Sequence, residues 1–124
     1  MAAPNIVNVA TITAKTAYAT PSNTSANILL ANAASSNKVL KVNMLVAANV
    51  DGASTFAATV AINSKADGSG TSYPLASTID VPNDAALIVT DKSTSFYLEE
   101  DRSIVVTSST ASKITYTVSY EEIS

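Results

Sequence analysis

The stretch Ile114-Thr115-Tyr116-Thr117-Val118-Ser119-Tyr120 (ITYTVSY) decides the fold class. Its even-numbered members are apolar or aromatic and its odd-numbered members carry hydroxyls. That period of two is the signature of a β-strand with one buried face. Working upstream, Ile104, Val105 and Val106 form a short apolar run, and Ser108 to Ser112 separate it from the last strand as a turn. Further upstream, Leu40, Val42, Met44, Val46 and Ala48 alternate with Lys41 and Asn43. Phe56, Ala58, Val60 and Ile62 alternate in the same way with Thr55, Ala57, Thr59 and Ala61. The NVDGA stretch (Asn49 to Ala53) between them is rich in turn formers, so residues 39–62 are predicted to form one antiparallel pair.

Further strands are expected at Ile6 to Thr13, Ala26 to Ala31, Tyr73 to Ile79, Ala86 to Thr90 and Ser95 to Leu98. Pro74 has no N–H to give a ladder, so it is expected at a sheet edge or a strand start. The Ala-rich stretches Ala31 to Ala34 and Ala57 to Ala61 carry no sustained helical stripe. About eight short strands separated by turn clusters such as Ser64 to Thr71 (SKADGSGT) predict an all-β protein. The expected architecture is a single antiparallel β-sandwich or jelly-roll-like domain over residues 6–124, preceded by a mobile N-terminal arm over residues 1–5.

Composition narrows the chemistry. The 124 residues contain no His, Cys or Trp and a single Arg, Arg102. The usual zinc sites, Ser-His and Cys-His nucleophile pairs, haem ligation and thiol chemistry therefore lack their residues. Ser and Thr number 17 and 15, so a quarter of the chain carries a small hydroxyl. Val, Ile and Leu number 12, 9 and 7, enough for one modest core. The net charge is −3, and the six lysines are scattered, which predicts no nucleic-acid partner and no binding to anionic lipid. No apolar run is long enough for a membrane-spanning helix. The opening MAAPNIVNVATITAK does not read as a secretory signal.

The candidate chemical groups read as structural. Glu99, Glu100, Asp101 and Arg102 form the densest charge and are expected to be a solvated turn rather than an acid–base pair or a Ca²⁺ site. The Ser64 to Thr71 loop lacks the ligand spacing of a calcium loop and the Lys-Ser/Thr of a phosphate loop, so a hairpin turn is expected there. No catalytic, cofactor-binding or metal-binding residues are assigned, and a non-enzymatic role is expected. Among the five tyrosines, Tyr116 and Tyr120 are expected in the core, whereas Tyr18 and Tyr73 are the surface candidates for a sugar platform or an interface anchor.

The order of several segments resembles small virion structural proteins of tailed phages, especially marine ones. The segments are NIVNVATIT (residues 5–13), LLANAASSNKVLKVNMLVAANVDG (29–52), IDVPNDAALIVTDKS (79–93), FYLEEDRSIVVTSS (96–109) and VSYEEIS (118–124). The sequence departs from the family's YLEEGD-like turn, because Asp101 and Arg102 follow Glu100 with no glycine. The resemblance implies a capsid decoration or cement protein on the outer surface of the head. Its partner would be the major capsid protein, and it would form a homo-oligomer, with a trimer favoured. Pro4, Asn5, Ile6 and Val7 of the arm are then the candidate capsid contacts. A tail- or fibre-associated virion protein and a carbohydrate-binding β-sandwich for host attachment are the alternatives.

Overall fold

The computed structural model describes residues 10–124. The arm expected over residues 1–5, and the candidate contacts Pro4, Asn5, Ile6 and Val7, lie outside the described residues. Nine strands follow in order: β1 (Ile12–Ala19), β2 (Asn27–Asn32), β3 (Val39–Asn49), β4 (Phe56–Asn63), β5 (Ser72–Val81), β6 (Ala86–Thr90), β7 (Phe96–Leu98), β8 (Arg102–Ser108) and β9 (Ile114–Ile123). The described residues contain no α-helix, only a 3₁₀ turn at Lys92–Thr94 between β6 and β7.

The strands form two antiparallel sheets. One runs β1-β9-β3-β6, with β7 continuing the β6 edge along β3; the other runs β2-β8-β4-β5. The pairs β4·β5, β3·β6/β7, β2·β8 and β1·β9 are nested, as in a long hairpin rolled up over two sheets, which is the jelly-roll form of the expected β-sandwich. The strands expected at Ala86 to Thr90 and Ser95 to Leu98 are β6 and β7, which the 3₁₀ turn separates along one edge.

Between the sheets lies a core of Leu29, Leu30, Leu40, Val42, Leu45, Val60, Leu98, Ile104, Val106, Ile114, Tyr116 and Val118, together with smaller residues. The alternation over 114–118 holds, with Ile114, Tyr116 and Val118 fully buried and Thr115 and Thr117 turned outward. Tyr116 is in the core as expected, and Tyr120 packs against it partly buried.

Three local expectations need correction. First, β3 and β4 do not pair. They lie in different sheets, so the Asn49 to Ala53 connection crosses the sandwich instead of closing a hairpin. Both strands are buried on one face, and either partner arrangement satisfies that pattern. Second, β3 changes phase midway. Val42 opposes Tyr120 and Met44 opposes Ser119, which leaves Asn43 as an extra bulged residue. Beyond the bulge Leu45 and Ala47 face the core, while Met44, Val46 and Ala48 turn outward. Third, the first described strand begins at Ile12 and runs to Ala19, beyond the predicted limit of Thr13; Ala10 and Thr11 precede it and bond to Ser124 through their backbone N–H groups.

Other expectations hold. Pro74 sits on β5, an edge strand. Residues 64–71 close the β4–β5 hairpin above the Asn63/Ser72 pair. That loop also folds over the outer side of its own sheet. A Cβ on Gly68 would lie 3.5 Å from Ile28 Cγ1 and 3.6 Å from Val105 Cγ1. This cover explains why Ile104, Val105 and Val106 are all buried although they alternate between faces.

Candidate interaction surface

The outward residues of β9 organise the outer face of the β1-β9-β3-β6 sheet. Because directly opposed residues share a face, the register extends each of them into a row. Thr117 opposes Tyr18 on β1 and Val46 on β3, and Val46 opposes Ile88 on β6. This row of Tyr18, Thr117, Val46 and Ile88 crosses four strands, about 14 Å at the usual inter-strand spacing. Its ends are the most open, with Tyr18 75% and Ile88 64% exposed. On one side lies a row of Thr115, Ala48 and Ala86, where Thr20 Oγ1 and Thr115 Oγ1 are 2.7 Å apart. On the other side lie Thr16, Ser119 and Met44. None of these residues carries a charge. Charges begin one row further, where Glu121 and Lys41 stand opposed with Tyr97 beyond Lys41.

A shallow groove of about 540 Å³ adjoins this surface, lined by Asn43, Met44, Ser119 and the Asp91–Ser93 turn. Two sequence features open it. The bulge brings Asn43 out of phase, where its Nδ2 donates to Glu121 Oε2 at 3.0 Å. The 3₁₀ turn replaces what would be the middle of the neighbouring strand. Asp91 caps that turn by accepting from Ser93 N at 2.9 Å and from Ser93 Oγ at 2.6 Å, which holds its carboxyl below the usual range.

The opposite sheet presents a smaller groove of about 240 Å³, lined by Thr24, Ala57, Thr59, Thr78, Thr107, Ser108 and Ser109. Part of that sheet's outer face, at Ile28 and Val105, lies under the 64–71 loop. On the β1-β9-β3-β6 sheet the three uncharged rows are partly or fully exposed, whereas Val39 and Ile123 at the far end of the same face are buried. No family model, curated protein or solved structure matches the chain.

Tyr18 and Tyr73 are both at the surface as expected, with Tyr73 62% exposed. They lie on different sheets, β1 and β5, at opposite sides of the sandwich, so the two rings do not make one platform. The hydroxyl side of ITYTVSY was visible, but which strands flank β9 follows from the topology alone.

The Glu99 to Arg102 turn is less solvated than expected. Asp101 takes the left-handed backbone conformation (φ 57°), the place where glycine is favoured. It is held there by Ala66 N–H at 3.1 Å and Lys65 Nζ at 3.2 Å, the two groups that do most to lower its pKa. Arg102 Nη1 donates to Ser64 O at 3.2 Å, and Glu100 Oε2 accepts from Asn37 N at 3.3 Å. These contacts tie the turn to neighbouring loops, and of the four only Glu99 is exposed, the others being half-buried. No group of three or more potential metal-ligating side chains occurs among the described residues.

These carboxylates set the response to pH. Glu122 is lowered by Lys38 (2.9 Å) and Lys15 (3.2 Å), and Asp67 by Ser69. A carboxyl more acidic when folded than when unfolded stabilises the fold fully above its unfolded value, and the gain is lost as pH falls through the folded value. With no His to titrate near neutrality, the urea midpoint should stay flat from pH 7 to 5 and drop below about pH 4. Glu122→Gln should soften that drop. A midpoint that changes steeply between pH 7 and 5 would contradict this account.

Proposed function

We propose that this protein is a virion structural component of a tailed phage. The most specific form of the reading is a capsid decoration protein that binds the outer surface of the major capsid protein lattice and stabilises the head. The resemblance of the segment order supports it. The observation that carries it further is the uncharged row Tyr18–Thr117–Val46–Ile88 on the outer face of a sheet, with both ends of the row exposed. Jelly rolls serve viral shells and lectins alike, so the fold alone does not select the role.

The row suits such a role physically. Aromatic and aliphatic anchors at its ends contribute apolar burial, and the hydroxyls between them tolerate bridging water. Each site need be only modest in strength, because rupture of a decorated shell must break contacts at many symmetry-related positions. The arm at Pro4 to Val7 is a second proposed contact, and its deletion should leave a folded domain that no longer coats capsids.

The test is co-sedimentation with undecorated capsids. Ile88→Asp and Tyr18→Asp should each weaken binding by at least about tenfold, or about 1.4 kcal/mol, because each buries a charge without a partner. Neither should move the thermal midpoint much, since both side chains are exposed. Binding of the unaltered protein should persist at high salt, because the surface is uncharged. Full coating by the double variant would refute the docking face. Labelled protein found on tails instead of heads would move the reading to the tail-associated alternative.

A further inference from the structure

The four sheet edges differ in how they are finished. β2 carries an extra residue, Leu29, between its Ile28/Val105 and Leu30/Ile104 pairs. β5 contains Pro74, two register shifts and Thr78 in the left-handed conformation (φ 51°). The β6/β7 edge is cut by the 3₁₀ turn. β1 has none of these features: its eight residues pair with β9 in unbroken register, Ile12 with Ile123 through Ala19 with Tyr116. Bulges, prolines and short strands are what protects an edge from a further strand.

The backbone of β1 exposes a defined set of groups. Thr11 and Ser124 exchange both backbone hydrogen bonds, at 3.0 and 2.9 Å. In an antiparallel ladder such pairs alternate, so the odd residues from Thr13 to Ala19 bond to β9. Ile12, Ala14, Thr16 and Tyr18 therefore direct their N–H and C=O groups away from β9, at an edge that no other described strand pairs with and where all four residues are exposed. Their side chains lie on the face that carries the uncharged row.

From this edge we infer that the protein forms a two-fold dimer, in which β1 pairs antiparallel with β1 of a second copy. A two-fold axis normal to the sheet keeps outward residues outward, so the pairing must match even residues with even. Charge then selects the register. Placing Thr13 opposite Ala17 would set Lys15 directly against its own copy. Placing Thr16 opposite Thr16 of the second copy avoids this, pairs Ala14 with Tyr18, and engages the strand from Thr13 to Ala19. Lys15 then faces Ala17, with its ammonium turned back to Glu122 of its own chain at 3.2 Å. An isologous pair needs only this one open edge, whereas a ring would need β1 to meet a second and different edge. The edge thus favours a two-fold pair over the trimer that the resemblance implies. The joined sheets would set two uncharged rows side by side.

The inference does not rest on the capsid reading and is tested on the isolated full chain. Sedimentation equilibrium should give twice the chain mass. Thr16→Cys, the sole cysteine in such a variant, should form an intermolecular disulfide on mild oxidation, since directly paired residues have Cα separations of about 5.5 Å. Ala14→Cys should not, because it faces Tyr18 of the partner. Thr16→Pro removes an outward N–H that β9 does not use, and should yield a folded monomer. A monomeric unaltered protein would overturn the inference. So would a trimer in which Thr16→Cys stays unlinked, equal cross-linking at position 14, or a dimer that Thr16→Pro leaves intact.

Discussion

Tyr116→Ala is expected to cost about 3–5 kcal/mol of folding stability, a large share of the total for a domain of this size. Tyr116 is the largest fully buried side chain among the described residues, and it is the third residue of β9 with its ring inside the core. Its hydroxyl lies 2.8 Å from Ser108 Oγ and donates to Thr107 O at 3.1 Å, both at the end of β8 in the opposite sheet. The residue therefore contributes apolar burial and also fixes one sheet against the other. Burial raises the pKa of the phenol, with Ser108 partly offsetting, so it stays a neutral donor. Tyr116→Phe separates the two contributions. It keeps the ring and leaves Thr107 O and Ser108 Oγ without their partner, for about 1–2 kcal/mol. Urea unfolding followed by circular dichroism should rank the alanine variant well below phenylalanine. If the two were equally damaging, the hydroxyl rather than the ring would be the dominant contribution.

This ranking bears on what a reader of the sequence can and cannot see. The ITYTVSY alternation reveals Tyr116 as core because β9 is regular and central, with a partner on each side and no register shift over 116–119 against β1. In β3 the same reasoning succeeds to Val42 and then assigns the wrong face, because a bulge adds one residue to the period without any local residue signal. The Asn49 to Ala53 connection fails differently. Its Asn, Asp and Gly mark a change of direction, and that chemistry is common to a hairpin and to a crossing between sheets. The outer row Tyr18–Thr117–Val46–Ile88 depends on three long-range pairings at once, none of which leaves a trace within its own segment. The buried asparagines were also illegible. Asn is usually exposed, and only the position of Asn32, Asn49 and Asn63 as the last residues of β2, β3 and β4 shows their common purpose.

Each of these asparagines anchors the loop that follows its strand. Asn32 Nδ2 donates to Lys38 O and Leu98 O, and Asn49 Nδ2 to Ser54 O and Val81 O. Asn63 makes the fullest set. Its Nδ2 donates to Gly68 O, Gly70 O and Ser72 Oγ at 3.1, 3.2 and 2.9 Å, while its Oδ1 accepts from Lys65 N and Gly70 N, both at 3.0 Å. Asn63→Asp should therefore cost about 3 kcal/mol or more at neutral pH, because a buried carboxylate replaces the donor aimed at two carbonyl oxygens. The pH dependence identifies the cause. Facing those carbonyls, the new carboxyl would titrate above its unfolded value, so the folded state would bind the extra proton first and the deficit would shrink on acidification. The protonated acid can restore one of the lost donations. Asn63→Ala should cost a similar amount without that recovery, since it has nothing to titrate. The unaltered protein weakens below about pH 4, so the gap between it and Asn63→Asp should narrow as the pH falls from 7, while its gap to Asn63→Ala stays constant. A constant gap for the aspartate variant would mean that the loop had opened to hydrate the carboxylate, and that the hydrogen bonds of Asn63 do not hold residues 64–71 over Ile28 and Val105.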